Sequence, residues 1–427
     1  MTNILSNKRY FQGFMLFTIV LYASTNFFAS ALTDFAKGIL SLASVYLLIK
    51  NPENIRREPL VIILILMITS SVATWISVYY LAPEYSPGGP KIDRLTKLFL
   101  FIPIAWWLAG REQRITQLLL ITFVGFLIGC AMNGGGFTEL LRAFDGRRVD
   151  FGIRNAQHTG MVFGLMVLAS FIIGLFPSKG SSRFVLRVTL SSIFFTLGII
   201  GVIVTQSRQV WLALITAFIL SSFALVLVQK KRNLRQIIFS LLTITLVSCT
   251  LVFSDVGQSR FHEATQTLEI AENGKIPDSS TGIRLQTWLE AAKWIKEKPL
   301  LGWDSDARHL VISESTTLSK MIRTHYGHLH NFHIETLLSY GLIGLLLMWS
   351  IYGRILYCTY KIKDCTRHGS YWFIFSVAFV TYWMVINNFE SFNSFWTGVF
   401  MQNIIMACLF ARYLTVTRKM KECESPL

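Results

Sequence analysis

Charge is scarce in this sequence. Only 15% of its 427 residues are Asp, Glu, Lys or Arg, against roughly 25% in an ordinary soluble domain. That shortage excludes a conventional water-soluble globule. Acidic residues are the scarcer sign, 24 against 40 Lys and Arg, which gives a net charge of +16. Cysteine is sparse too: there are six, with no CxxC pair and none between residues 255 and 329, the one long polar stretch. A disulfide framework or a Cys-ligated metal there is excluded. No internal repeat of the kind common in transporters is visible. The first apolar run lacks a small-residue cleavage site, so Lys8 and Arg9 read as anchors rather than the start of a signal peptide.

What the sequence has is hydrocarbon. Hydrophobic residues make up 52% and aromatics 14%. Apolar runs near the length of a bilayer crossing recur throughout, about twelve by hydropathy. They fall near 11–30, 34–49, 59–81, 95–110, 115–132, 157–176, 184–204, 208–228, 236–254, 331–353, 370–388 and 394–414. The second and fourth are short. The runs are continuously apolar rather than alternating, which predicts helices and not a barrel. The expected fold is an all-α polytopic membrane protein. Its segments are 1–254 with spans one to nine, a large loop at 255–329, and 330–427 with the last three spans and a tail.

The basic residues do not suit nucleic acid, because they collect in alternate loops. Lys50, Arg56 and Arg57 form one group, then Arg111 and Arg114, then Lys179, Arg183 and Arg187. Further groups are Lys230, Lys231, Arg232 and Arg235, then Lys361, Lys363 and Arg367, and Arg412, Arg418, Lys419 and Lys421. The positive-inside rule then puts both termini in the cytoplasm and 255–329 outside. Orientation and contact with anionic membrane lipids account for these groups.

Some charges break that pattern. Arg142, Arg147, Arg148 and Arg154 stand on the outer side, with Glu139, Asp145 and Asp150 nearby. Arg208 follows Ser207 in the tight turn VTQSRQVW, where Ser207 can cap the next helix and the helix start favours phosphate. Arg284 lies in STGIRLQTWLEAAKWIKEKPLLGW. There Leu285, Trp288, Leu289, Ala292 and Ile295 predict one apolar face of a helix on the membrane or over the bundle. Placed in that helix's first turn, Arg284 opposes the macrodipole, and an anionic ligand would explain it. For each of these arginines, a surface ion pair or headgroup contact is the competing explanation.

Histidines gather at His325, His328, His330 and His333, and His158 follows Arg154. Imidazole exchanges protons near neutral pH, so His330 at a water–lipid boundary is a candidate base. Zinc is the rival for the cluster. Only His330 and His333 are expected to share a helix face, and no Cys or tight carboxylate completes a ligand set, so no metal is expected. His158 lines the same cavity or makes a helix-start contact. Glu335 and Glu390 either pair with an arginine, orient a histidine or join two helices. Asn387, Asn388 and Asn393 either bind sugar hydroxyls or satisfy helix ends.

His330–Asn331, nine residues, then Gly341 and Gly344 resembles the H-[N/S/Q]-x9-G-x-x-G signature of bacterial O-antigen ligases, the WaaL family. TGIRLQTW with KPLLGW, and QSRQVW, are similar to further elements of that ligase and polymerase superfamily. Leu345 and Leu346 depart from the Thr-Pro that some members carry after the second glycine. The resemblance implies a GT-C-like helical scaffold with twelve spans and a periplasmic loop between spans nine and ten. It also implies glycan transfer from undecaprenyl diphosphate to lipid A–core at the periplasmic face of the inner membrane. In that reaction His330 would handle the acceptor proton, and arginine cations would favour its neutral form. Arg208 and Arg284 would hold the diphosphate. Arg142, Arg147, Arg148, Arg154, His158, His328 and Asn331 would contact substrate. The resemblance implies inversion at the anomeric carbon, with no nucleotide, metal or other cofactor. An O-antigen polymerase and a protein O-oligosaccharyltransferase remain alternatives using the same donor, and an anionic-solute transporter is the non-enzymatic one.

Overall fold

The structure, a computed structural model, describes residues 2–86, 88–176, 183–228 and 276–424. The expected ninth span, residues 255–275 of the polar loop, Lys179 and the basic residues 230–235 lie outside the described residues. Helices account for the regular structure, with no strand among the described residues. The chain is a multi-pass membrane protein, helical throughout the regular structure of its described residues.

The first half contains α1 (Thr2–Thr25), α2 (Ser30–Lys50), α3 (Pro59–Leu81), α4 (Asp93–Thr96), α5 (Phe101–Leu108) and α6 (Glu112–Met132). It continues with α7 (Phe137–Phe144), α8 (Ala156–Gly174), α9 (Arg183–Val204) and α10 (Arg208–Val228). After the polar loop's α11 (Ser280–Glu297), α12 (Ala307–Ser313) and α13 (Lys320–His325) come α14 (Phe332–Lys361), α15 (Gly369–Ile386) and α16 (Trp396–Glu424). Nine of these are long and apolar enough to cross a membrane among the described residues. They coincide with expected spans two, three, five to eight and ten to twelve.

The fourth expected span differs. It runs through α4, a 3-10 turn at Lys97–Phe99 and the short α5. Irregular backbone at membrane depth survives only where protein satisfies its polar groups. Here α16 does so: Asn403 Oδ1 accepts the Phe101 N–H at 2.8 Å, and its Nδ2 donates to the Lys97 carbonyl at 2.9 Å. Hydropathy registers the apolar residues but not this stitching. Residues 137–144, expected as loop, form the short helix α7.

Polarity of packing follows position in the bundle. Among the described spans α16 is the most enclosed, whereas α9 leaves Val185, Leu186, Ile193 and Ile203 exposed, as suits a helix facing lipid. α8 packs on α9, and α10 on α15.

The polar loop has its own small core. Ile283, Ala291, Trp303, Val311, Ile312, Ile322 and Leu329 pack together and onto Leu338 of α14. It therefore caps the bundle, one of the two expected outcomes for the amphipathic helix. The register of α11 is a correction: Ile283, Thr287, Glu290 and Ala291 are buried, while Leu289, on the expected inner face, is exposed. Cap contacts fix the helix start, with Ser279 Oγ accepting the Gly282 N–H. Arg284 is then in the second turn, so the macrodipole reasoning drops away.

α14 breaks at Gly341, whose φ of 63° and ψ of −169° are not helical. Segment 299–304 is woven into the break. Trp303 and Asp304 N–H donate to the carbonyls of Leu338 and Ser339, and Leu342 N–H donates to the Pro299 carbonyl at 2.8 Å. A Cβ on Gly341 would lie 2.1 Å from the Leu300 backbone. Gly302, also at positive φ, meets the Leu338 carbonyl from the other side. KPLLGW and the first motif glycine are thus two halves of one joint.

Candidate active site

His330 sits in the left-handed region at φ 52°, immediately before α14. The next residue, Asn331, caps that helix: its Oδ1 accepts the His333 and Ile334 N–H groups at 3.0 and 3.1 Å. His330 therefore precedes the helix and shares no helical face with His333, contrary to expectation. The turn is held from both sides. Leu329 N–H donates to Glu335 Oε1 at 2.9 Å, and Trp288 Nε1 donates to the Leu329 carbonyl at 2.7 Å. Trp288 is four residues after Arg284, so the two share a face of α11. The same tryptophan that steadies His330 also orients the helix carrying Arg284.

Glu390, buried in the turn between α15 and α16, receives two imidazoles. His330 Nδ1 is 2.9 Å from Oε2, and His328 Nε2 is 3.2 Å from Oε1. The two rings lie 4.0 Å apart between centroids. Burial is the largest influence on Glu390 and raises its pKa. The hydrogen bonds and charge of His328 and His330 outweigh it and hold the carboxyl well below the usual carboxylate range. Ser391 joins this carboxylate to Glu335: its N–H donates to Glu390, and its hydroxyl to Glu335 Oε1 at 2.6 Å. Arg308 Nη1 reaches Glu335 Oε2 at 3.3 Å.

Phe395 gathers the outer part of the site. The Arg154 guanidinium lies over its ring at 3.5 Å, and His158 and His328 approach it edge-on at 5.4 Å. His158 is fully buried, with Nδ1 on the Thr397 hydroxyl. Arg148 donates through Nε to the Thr205 carbonyl and through Nη2 toward Ser207 Oγ, which draws it beside Arg208. The Ser207 hydroxyl donates to the Ala156 carbonyl at 3.0 Å, tying the Arg208 turn to the start of α8. Burial lowers the pKa of Arg284. Glu390 acts against that, and Arg208 and Arg148 add to it. Three arginines and the His-bound carboxylate thus share one field.

The structure brings together His330, His328, His158, Arg148, Arg154, Arg208 and Arg284. It leaves others apart. Arg142 pairs with Glu139 on α7 at 2.6 Å, and Arg147 is exposed on the following turn. His325 is exposed on α13. His333 is buried, with Nε2 on the Met384 carbonyl and Nδ1 accepting from Trp349. Asn387 supports the site through its backbone, since its carbonyl accepts the Phe332 N–H at 2.8 Å. Phe395 and Arg308 carried no signal in the sequence, as a lone aromatic and a loop cation have many ordinary uses. A small polar pocket beside Glu335, lined by Arg94, Lys97, Arg308 and Tyr340, is also new.

The ligand-bearing atoms of His328, His330 and Glu390 all lie within 4.8 Å of one another. Glu390 is thus the tight carboxylate that the expected histidine cluster lacked. The set has the chemistry of a three-ligand metal site. Its surroundings oppose a dication, since Arg154 and Arg284 both act on Glu390 and bring further positive charge.

Residues 192–349 match the model of a family described as O-antigen ligase. The match runs from α9 into α14 and so includes Arg208, Arg284 and His330, while Glu390 lies beyond it. No curated protein matches the chain.

Proposed function

We propose, from the match of residues 192–349 to a family described as O-antigen ligase, that the chain transfers a glycan from undecaprenyl diphosphate to the lipid A–core oligosaccharide. The reaction takes place at the periplasmic face of the bacterial inner membrane, with both termini in the cytoplasm. The observation that carries this reading is the imidazole of His330 held by Glu390, in the same field as Arg284 and Arg208.

With Nδ1–H donated to Glu390, the assigned tautomer leaves the Nε2 lone pair of His330 for the acceptor. The acceptor hydroxyl gives its proton to Nε2 as its oxygen bonds to the anomeric carbon. The bond from that carbon to the diphosphate oxygen breaks, and its electron pair departs with the phosphate. Arg208 and Arg284 neutralise the charge that builds there, and Arg148 and Arg154 extend the clamp. A single displacement inverts the anomeric centre. His328 and His158 line the sugar side, Asn331 sets the His330 turn, and Arg142 and Arg147 meet the glycan farther out. No metal or other cofactor is required, because fixed cations already supply the charge.

The same family match suits an O-antigen polymerase, whose acceptor is a second lipid-linked glycan. Purified protein given lipid-linked glycan and defined acceptors separates the two. Product on lipid A–core supports the ligase, and polymer formed without that acceptor overturns it.

A further inference from the structure

The end of the bundle away from His330 contains a second polar centre. α16 runs from Thr397, beside His158, to Arg412, about 22 Å along the helix at 1.5 Å per residue. There Arg412 bonds Glu112 at 3.1 Å and the Thr366 hydroxyl at 2.6 Å. Glu112 also accepts from His368 and from Trp372 Nε1, at 2.9 and 3.0 Å. Beside this network lies a cavity of about 740 Å³, within the roughly 300–1,000 Å³ of sites that bury small ligands.

Its walls have two characters. The polar mouth holds Arg111, Arg187, Arg412 and Lys419 against one carboxylate, Glu112. The deeper wall is Leu119, Leu120, Phe123, Ile173, Leu190 and Phe194. Two donors at the mouth are unanswered: among the described residues, the buried Nε atoms of Arg187 and Arg412 have no hydrogen-bond partner. Arg412 is only 4% exposed, and an unmet guanidinium donor at such depth is costly. A phosphate would answer the excess of cations over Glu112 at the mouth, and hydrocarbon would cover the apolar wall.

We propose that this cavity binds an anionic phospholipid, with its phosphate on Arg187 and Arg412 and its acyl chains against Leu120 and Phe194. A basic pocket between helices is the chemistry that recognises such headgroups. A free phosphate would satisfy the mouth alone, so the test separates head from tail.

The full-length protein in detergent is titrated with dioleoyl phosphatidylglycerol, dioleoyl phosphatidylethanolamine or inorganic phosphate, and adducts are counted by native mass spectrometry. Phosphatidylglycerol should bind about tenfold more tightly than phosphatidylethanolamine, and Arg187→Gln should remove that preference. Leu120→Trp, which fills the apolar wall and keeps the charges, should also weaken the lipid adduct. Arg284→Lys, at the opposite end, should leave it intact, which makes the result independent of the transfer reaction. Equal binding of the two lipids overturns the proposal, as does an adduct unaffected by Arg187→Gln. Full displacement by inorganic phosphate at equal concentration, or loss in Arg284→Lys, overturns it as well.

Discussion

A buried glutamate, Glu390, and a half-buried one, Glu112, hold histidines by Nδ1 at the same distance, 2.9 Å, at opposite ends of this molecule. Glu112 is also bound directly by the Arg412 guanidinium and the Trp372 indole. Its network joins α6, α15 and α16. Glu390 instead takes two imidazoles, while Arg284 and Arg154 act on it through space. A carboxylate–imidazole pair is therefore not by itself a sign of chemistry. At Glu112 the arginine binds the carboxylate directly, whereas at Glu390 the arginines act without a direct bond and the imidazoles make the contacts.

The comparison breaks most visibly at the histidines. Under the proposed mechanism, His330→Ala lowers transfer roughly 10³-fold with the protein still in the membrane, whereas His368→Ala changes it less than about twofold. Comparable losses in both variants, measured on purified protein, would erase the distinction. Arg284→Lys is next, with transfer down roughly 10²-fold because a point charge cannot reproduce a fork on diphosphate. Wild-type rates would remove Arg284 from the clamp. Glu390→Gln should lower kcat about tenfold or more with little change in KM, since it disturbs the base and not the donor site. A loss confined to KM would assign Glu390 to binding.

Two smaller effects concern stability. Gly341→Ala must strain φ and displace the Leu300 backbone, which costs about 2–4 kcal/mol. An unchanged thermal midpoint in detergent would mean the joint is not tight. Glu390 is depressed below its unfolded value of 4.5, so its stabilisation is present above that pH and is lost as pH falls. The slope from this group is at most about 1.4 kcal/mol per pH unit. Melting points of wild type and Glu390→Gln should differ by a constant amount above that value and converge progressively as pH falls below it.

Much of the scaffold was legible because a bilayer imposes length and apolarity on each crossing, and α3, α6, α8 and α10 follow that rule. His330, Arg208 and Arg284 were legible as candidates because each lies in a motif that resembles the family's. Glu390 was visible as an acidic residue out of place. Its choice of partner was not, because the bond spans 60 residues and depends on how the α15–α16 turn meets the α14 cap. Arg142 and Arg148 look alike in one loop. Only α7, which gives Arg142 a partner one turn away, and the Val149 contact with the Val204 carbonyl set them apart. The register of α11 was misread because loop helices bury a face against protein and leave other apolar residues toward the membrane. Hydrophobicity does not distinguish those two neighbours.

The break in α14 bears on how the protein is made. Until Pro299 to Asp304 is seated, the carbonyls of Leu338 and Ser339 and the N–H of Leu342 have no backbone partner from that segment. In hydrocarbon each such group is expensive. The segment that answers them precedes α14 in the chain, on the opposite side of His330. α14 is thus an incomplete span by itself and is completed by a piece of loop made before it. A chain whose loop fails to seat would be left with a span whose backbone it cannot close.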